Sequence, residues 1–151
     1  MEKIKWGIIG PGNIANNFAD GLKGSYSGQL VSIASKSEDR RKNFGDKYDI
    51  HPDFRFDSYE DIINSEHIDA IYISTPHTLH AQWTIKAAGK GKHILCEKPG
   101  AINFNEGKKI IDAVREAGVF YMEGFMYRCH PQIPKLVDII KNKIIGDVIS
   151  V

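Results

Sequence analysis

The sequence predicts an α/β fold built on a doubly wound parallel sheet, and three observations carry that prediction. Short apolar runs of strand type alternate with segments of helical periodicity along most of the chain. The first run passes directly into Gly10-Pro11-Gly12-Asn13-Ile14-Ala15, a glycine arrangement suited to a tight strand-to-helix turn. The length, 151 residues at 42% hydrophobic and 26% charged, supports one substantial core and is too short for two full domains.

Taken in order, Ile4–Ile9 is the first expected strand, with Ile4, Trp6, Ile8 and Ile9 apolar, and a helix follows from near Asn13. Leu30–Ala34 is the second strand. Ser37 then stands before Glu38 and Asp39 as a helix cap with acidic first-turn residues. Phe54–Phe56 is a short additional strand, and Ser58, three residues before Asp61, opens the next helix. After the strand Asp69–Ser74, Thr78 before Leu79 is expected to cap a helix carrying Ile85 and Ala88 and closed by Gly89. His93–Cys96 is the next strand. Asn103, three residues before Glu106, starts a helix with Ile110, Ile111, Val114 and Ala117 on its apolar face, closed by Gly118 ahead of the strand Val119–Met122. The tail differs: 131–143 places Ile133, Leu136, Val137 and Ile140 on one helical face. Gly146-Asp147 then turns into Val148-Ile149-Ser150-Val151, which reads as a strand just starting. Such a strand needs partners, so the tail predicts either a piece of a longer two-domain protein or an edge that pairs with another chain, giving a homo-oligomer through the C-terminal sheet.

Composition narrows the function. Twenty basic and nineteen acidic side chains leave a formal net charge of +1, so no global field attracts nucleic acid or a membrane surface, and a small-molecule partner is expected. The amino terminus lacks a signal-peptide pattern, and no apolar stretch approaches the roughly 20 residues of a membrane span. Cys96 and Cys129 belong to no metal or redox spacing and read as packed thiols in a reducing cytoplasm.

The glycine turn suggests chemistry. Gly10 permits the turn, Gly12 lets backbone approach a pyrophosphate, and Ala15 allows close helix–sheet contact. The pyrophosphate would lie over the helix amino terminus at Asn13 and Ile14, favoured by the helix dipole. At the end of the second strand an NAD site usually offers a carboxylate to the ribose. Here stand Ala34-Ser35-Lys36-Ser37 and then Arg40 and Arg41, so Ser35, Lys36, Ser37 and Arg40 are expected to hold the 2′-phosphate of NADP, in preference to NAD. Thr75, Pro76, His77 and His80 follow a strand carboxyl end, the usual place for cofactor-contacting loops. His77 and His80 have metal-type spacing without a third ligand, so no metal is expected. Glu97-Lys98-Pro99 ends the fifth strand, where the nicotinamide half should lie. Lys98 would there stabilise negative charge on a substrate oxygen, and Pro99 would supply a rigid turn, with a cis peptide as one option.

These segments, with Met122-Glu123-Gly124-Phe125-Met126-Tyr127-Arg128-Cys129-His130-Pro131-Gln132, make the chain resemble the glucose-fructose oxidoreductase, inositol dehydrogenase and MocA family. It is most similar to the branch of dihydrodiol dehydrogenases and NADP-linked xylose dehydrogenases. The family usually carries Asn where this chain has His77. The resemblance implies an NAD(P)-dependent oxidoreductase of sugars, polyols or related alcohols and carbonyls. Lys98 would be catalytic, Glu97 would line the nicotinamide ribose, and Tyr127 and Arg128 would lie near cofactor or substrate. It also implies a Rossmann-like dinucleotide-binding domain over 1–122. Residues 123–151 would then be a linker helix and the first strand of a truncated second α+β domain that supplies most substrate contacts. The competing reading is a non-catalytic NAD(P)-binding or sensing module that acts through association.

Overall fold

The computed structural model of the chain describes residues 2–150. Six strands, β1 (Ile4–Ile9), β2 (Gly28–Ala34), β3 (Arg55–Phe56), β4 (Ala70–Ile73), β5 (His93–Cys96) and β6 (Tyr121–Glu123), form one sheet in the order β3-β2-β1-β4-β5-β6. Every neighbouring pair is parallel. The sheet is therefore doubly wound, with its strand order reversing direction between β1 and β4.

Six helices connect or follow these strands: α1 (Asn13–Lys23), α2 (Glu38–Lys47), α3 (Tyr59–Asn64), α4 (His80–Ala88), α5 (Phe104–Ala117) and α6 (Gln132–Lys141). Side-chain alternation divides the core in two. Ile8, Ile33 and Tyr72 face α1 and α2, packing on Ala15, Ala19, Phe44 and Tyr48. Ile9, Ala34, Ile71, Ile73, Ile94 and Cys96 face α3, α4 and α5, packing on Ile62, Trp83, Ala87, Ile110 and Val114.

Three expected caps are formed. Ser37 accepts from Arg40 N, Ser58 from Glu60 N and Asp61 N, and Asn103 from Glu106 N. Gly118 closes α5 in the left-handed conformation, φ 65°. Thr78 does not cap α4. Pro76 leads instead into a 3-10 turn, His77–Leu79, and α4 begins at His80 with no side-chain cap. Gly89 ends α4 in the helical region, and the left-handed residue is Gly91, φ 71°. Asp69 immediately precedes β4: its N–H donates to Lys5 O at 2.9 Å, its carbonyl accepts from His93 N at 3.1 Å, and its carboxylate accepts from Lys5 N at 2.8 Å. Val119 stands outside β6 because its N–H closes α5 on Val114 O.

The tail is the main correction. The predicted apolar face of α6 exists but is left largely open: Leu136, Val137 and Ile140 are 46%, 40% and 42% exposed. Residues 148–150 form no strand, since no neighbour offers them a ladder, and Val151 lies outside the described residues. The C-terminal edge expected to support association is thus not formed within this chain.

Candidate active site

The site lies at the carboxyl ends of β1 and β4, the topological switch point where open α/β sheets bind ligands. Gly10 leaves β1 with φ 91°. A Cβ there would sit 3.0 Å from Ser74 O and 3.2 Å from Thr75 N, so the position requires glycine. Ser74 Oγ donates to Gly10 O at 2.8 Å and ties the turn to the end of β4. Gly12 occupies the cap position of α1, and the space where its Cβ would stand is empty to 4 Å. Unlike α2, α3 and α5, α1 has neither a side-chain cap nor an acidic first turn, so the amides at Asn13 and Ile14 keep no side-chain acceptor. An anion over them would meet both the free donors and the positive end of the helix.

At the end of β2, Ser35 is buried and its hydroxyl accepts from Ser37 N. Arg41, not Arg40, braces this turn by donating from Nη1 to Ser35 O at 2.7 Å. Lys36, Ser37 and Arg40 are exposed. The Lys36 ammonium lies 6.0 Å from the ring centre of Tyr59, whose hydroxyl pKa burial raises while the Arg40 charge opposes the rise. The cations thus gather outside the carboxyl end of β2, with no carboxylate accepting from them there.

Across the switch point, Ile14, Ser74, Thr75, His77, His80, Glu97, Lys98 and Met126 line a cleft of about 290 Å³. The turn bearing Lys98, which contains a cis Lys98-Pro99 peptide, is pinned from three sides. Tyr72 Oη donates to Glu97 Oε1 at 2.6 Å, His80 Nδ1 lies 2.8 Å from Pro99 O, and Gly100 N donates to Glu123 Oε1 at 2.6 Å. None of these bonds engages Lys98, which is exposed at the mouth of the cleft. The arrangement is a free ammonium on a fixed backbone, suited to stabilising a developing oxyanion.

His80 lines the cleft through a buried side chain. Its ring is 1% exposed, and Nε2 lies 2.8 Å from Thr75 O while Nδ1 faces Pro99 O. With both nitrogens turned to backbone oxygens, it joins the two loops at the wall of the cleft. Tyr127 and Arg128 sit on an exposed 3-10 turn, Met126–Cys129, and it is Met126 from that turn that reaches the cleft. Tyr72 belongs to no motif read from the sequence, and Ser74, Arg41 and Glu123, which stand within or beside such motifs, act on the site through partners that the fold supplies. Their partners are 25, 64, 6 and 23 residues away in sequence. A larger hollow of about 490 Å³ between α5 and β6 includes Phe104, Ile111 and Tyr121 but neither the glycine turn nor Lys98.

Two observations fit a dinucleotide. The open space at Gly12 matches close approach of a phosphate, and Thr75 Oγ1 is buried without a hydrogen-bond partner at the wall of the cleft. Residues 4–125 match the family described as "Oxidoreductase family, NAD-binding Rossmann fold", GFO_IDH_MocA. The chain is 34% identical to trans-1,2-dihydrobenzene-1,2-diol dehydrogenase from Xenopus laevis, covering 95% of this chain and 44% of that protein. It is 34% identical to D-xylose 1-dehydrogenase (NADP(+)) 2 from Haloferax volcanii, covering 98% and 45%. Among solved structures, KijD10, a 3-ketoreductase from Actinomadura kijaniata in complex with NADP, superimposes with a TM-score of 0.88 at 31% identity, covering 96% and 46%. The chain spans under half the length of these relatives.

Proposed function

The chain belongs to this oxidoreductase family, and from that premise we propose that it is the cofactor-binding half of an NADP-dependent dehydrogenase or reductase of a sugar, polyol or dihydrodiol. The observation that carries the reading is the meeting, at one switch point, of the uncapped α1 amino terminus, the orphaned Thr75 hydroxyl and the free Lys98 ammonium. When bound, NADP supplies the hydride chemistry. Gly10 and Gly12 open the backbone to the pyrophosphate, and Ser35, Lys36, Ser37 and Arg40 hold the 2′-phosphate. Their charge and hydroxyl donors support that assignment, as does the naming of NADP with two of the relatives. Glu97 accepts from ribose hydroxyls, and Lys98 donates to the substrate oxygen and stabilises charge there.

Residues 1–122 are the dinucleotide-binding domain in this proposal. Residues 123–151 lead into a second domain that supplies the remaining substrate contacts and the proton-exchanging group, consistent with the unpacked apolar face of α6. No helix among the described residues is long and apolar enough to cross a membrane, and the reading places the protein in the cytoplasm. Calorimetric titration with NADP and NAD tests it: tighter NADP binding is expected, and binding of neither refutes the proposal. In a chain extended through the second domain, Lys98→Ala should lose turnover while keeping cofactor affinity. A loss confined to affinity would remove Lys98 from catalysis.

A further inference from the structure

One hydrogen bond joins the carboxylate wall of the cleft to the core beneath it. Tyr72 is 2% exposed on β4, and its Oη donates to Glu97 Oε1 at 2.6 Å. The register explains the contact: Tyr72 pairs with Leu95, and Glu97, two residues further, projects from the same face of the sheet. The phenol ring is held by its neighbours. It stacks on Phe18 of α1 with centroids 4.1 Å apart, and Phe18 meets Trp6 edge-on at 5.2 Å. Packing accounts for the ring but not for its hydroxyl, because phenylalanine would fill the same space. The hydroxyl's partner is Glu97, and burial followed by this bond raises its pKa, so it remains a donor. Glu97 Oε2 has no protein donor among the described residues.

We infer that Tyr72 is a positioning residue: it anchors one oxygen of Glu97 so that the other accepts a hydroxyl of the ribose on the nicotinamide side of the cofactor. The inference rests on the cofactor reading above. A carboxylate only accepts, so its complement is a hydroxyl, and a short charge-assisted bond to Tyr72 orients the acceptor before the ligand arrives. The same stack ties Glu97 to α1, the helix whose amino terminus receives the pyrophosphate, so the two halves of the cofactor site share one rigid support.

The test compares the 151-residue chain with Tyr72→Phe, Glu97→Ala and the double variant by calorimetry. The ligands are NADP and adenosine 2′,5′-bisphosphate, which carries the adenine half and the 2′-phosphate but no nicotinamide ribose. Tyr72→Phe should weaken NADP about tenfold and leave the bisphosphate unchanged, and it should cost nothing further on the Glu97→Ala background. Unchanged NADP affinity, equal weakening of both ligands, or an undiminished cost without Glu97 would each overturn the assignment. If the parent binds NADP and Tyr72→Phe matches it, Tyr72 is removed and the cofactor reading stands. A parent chain that binds neither ligand removes both.

Discussion

Gly10 and Gly12 stand two residues apart in one turn, and substitution by alanine should separate their roles. At Gly10 an alanine must adopt φ near 91° and bring its Cβ to 3.0 Å from Ser74 O, a backbone atom with little freedom to move. The conformational penalty is about 1–3 kcal/mol and the overpacking about 1–3 kcal/mol more, together about 2–6 kcal/mol. Against a typical stability of about 5–15 kcal/mol, Gly10→Ala should shift the urea midpoint markedly downward. At Gly12 the backbone is extended, φ −90°, and no atom lies within 4 Å of the added Cβ. Alanine is a poorer cap than glycine, but it also restricts the unfolded chain by roughly 0.4–1 kcal/mol, so stability should change by less than about 1 kcal/mol. Its methyl nevertheless occupies the space a phosphate needs, and NADP affinity should fall at least about tenfold, or about 1.4 kcal/mol. Urea unfolding and calorimetric titration of both variants decide the matter. Equal destabilisation would refute the steric reasoning, and a Gly12→Ala chain that binds NADP as the parent does would refute the cradle.

Other residues give sharper local tests. Lys36→Ala and Arg40→Ala should each weaken NADP severalfold while leaving NAD affinity unchanged, so their effect on the ratio in paired titrations checks the 2′-phosphate assignment. Asn103→Ala removes the acceptor 3.0 Å from Glu106 N and should cost about 1 kcal/mol in urea unfolding without touching NADP binding. Burial pushes the Cys96 thiol from 9.0 up to about 12. Between those values the unfolded chain has released a proton that the native chain retains, so this contribution is intact below pH 9 and lost as pH rises toward 12. By pH 10.5 the loss amounts to about 2 kcal/mol. Cys96→Ala should therefore lose less stability than the parent between pH 8 and pH 10.5, and identical slopes would contradict the assignment.

Most of the sheet was legible because each strand's burial is written in its own residues. Ile8 and Ile9, or Ile71 and Ile73 around Tyr72, alternate between two helical layers, and the caps at Ser37, Ser58 and Asn103 act within three residues of themselves. The entry to α4 differs from the expected cap at Thr78 because a 3-10 turn, His77–Leu79, follows Pro76 and puts Thr78 inside it. Of the strand expected at 148–151, residues 148–150 have strand-forming side chains but no ladder to join, since strand formation depends on a neighbour as much as on propensity.

The glycine turn, the cation-bearing end of β2 and Lys98 follow from sequence because backbone conformation and residue type are local properties. What surrounds Lys98 does not. The bonds from Tyr72 to Glu97, from Gly100 to Glu123 and from His80 to Pro99 link residues 19 to 25 positions apart. Sequence determined which groups this chain gathers at the switch point; tertiary structure decided which are held rigid and which stay free, because hydrogen bonds and packing depend on neighbours that only the fold supplies.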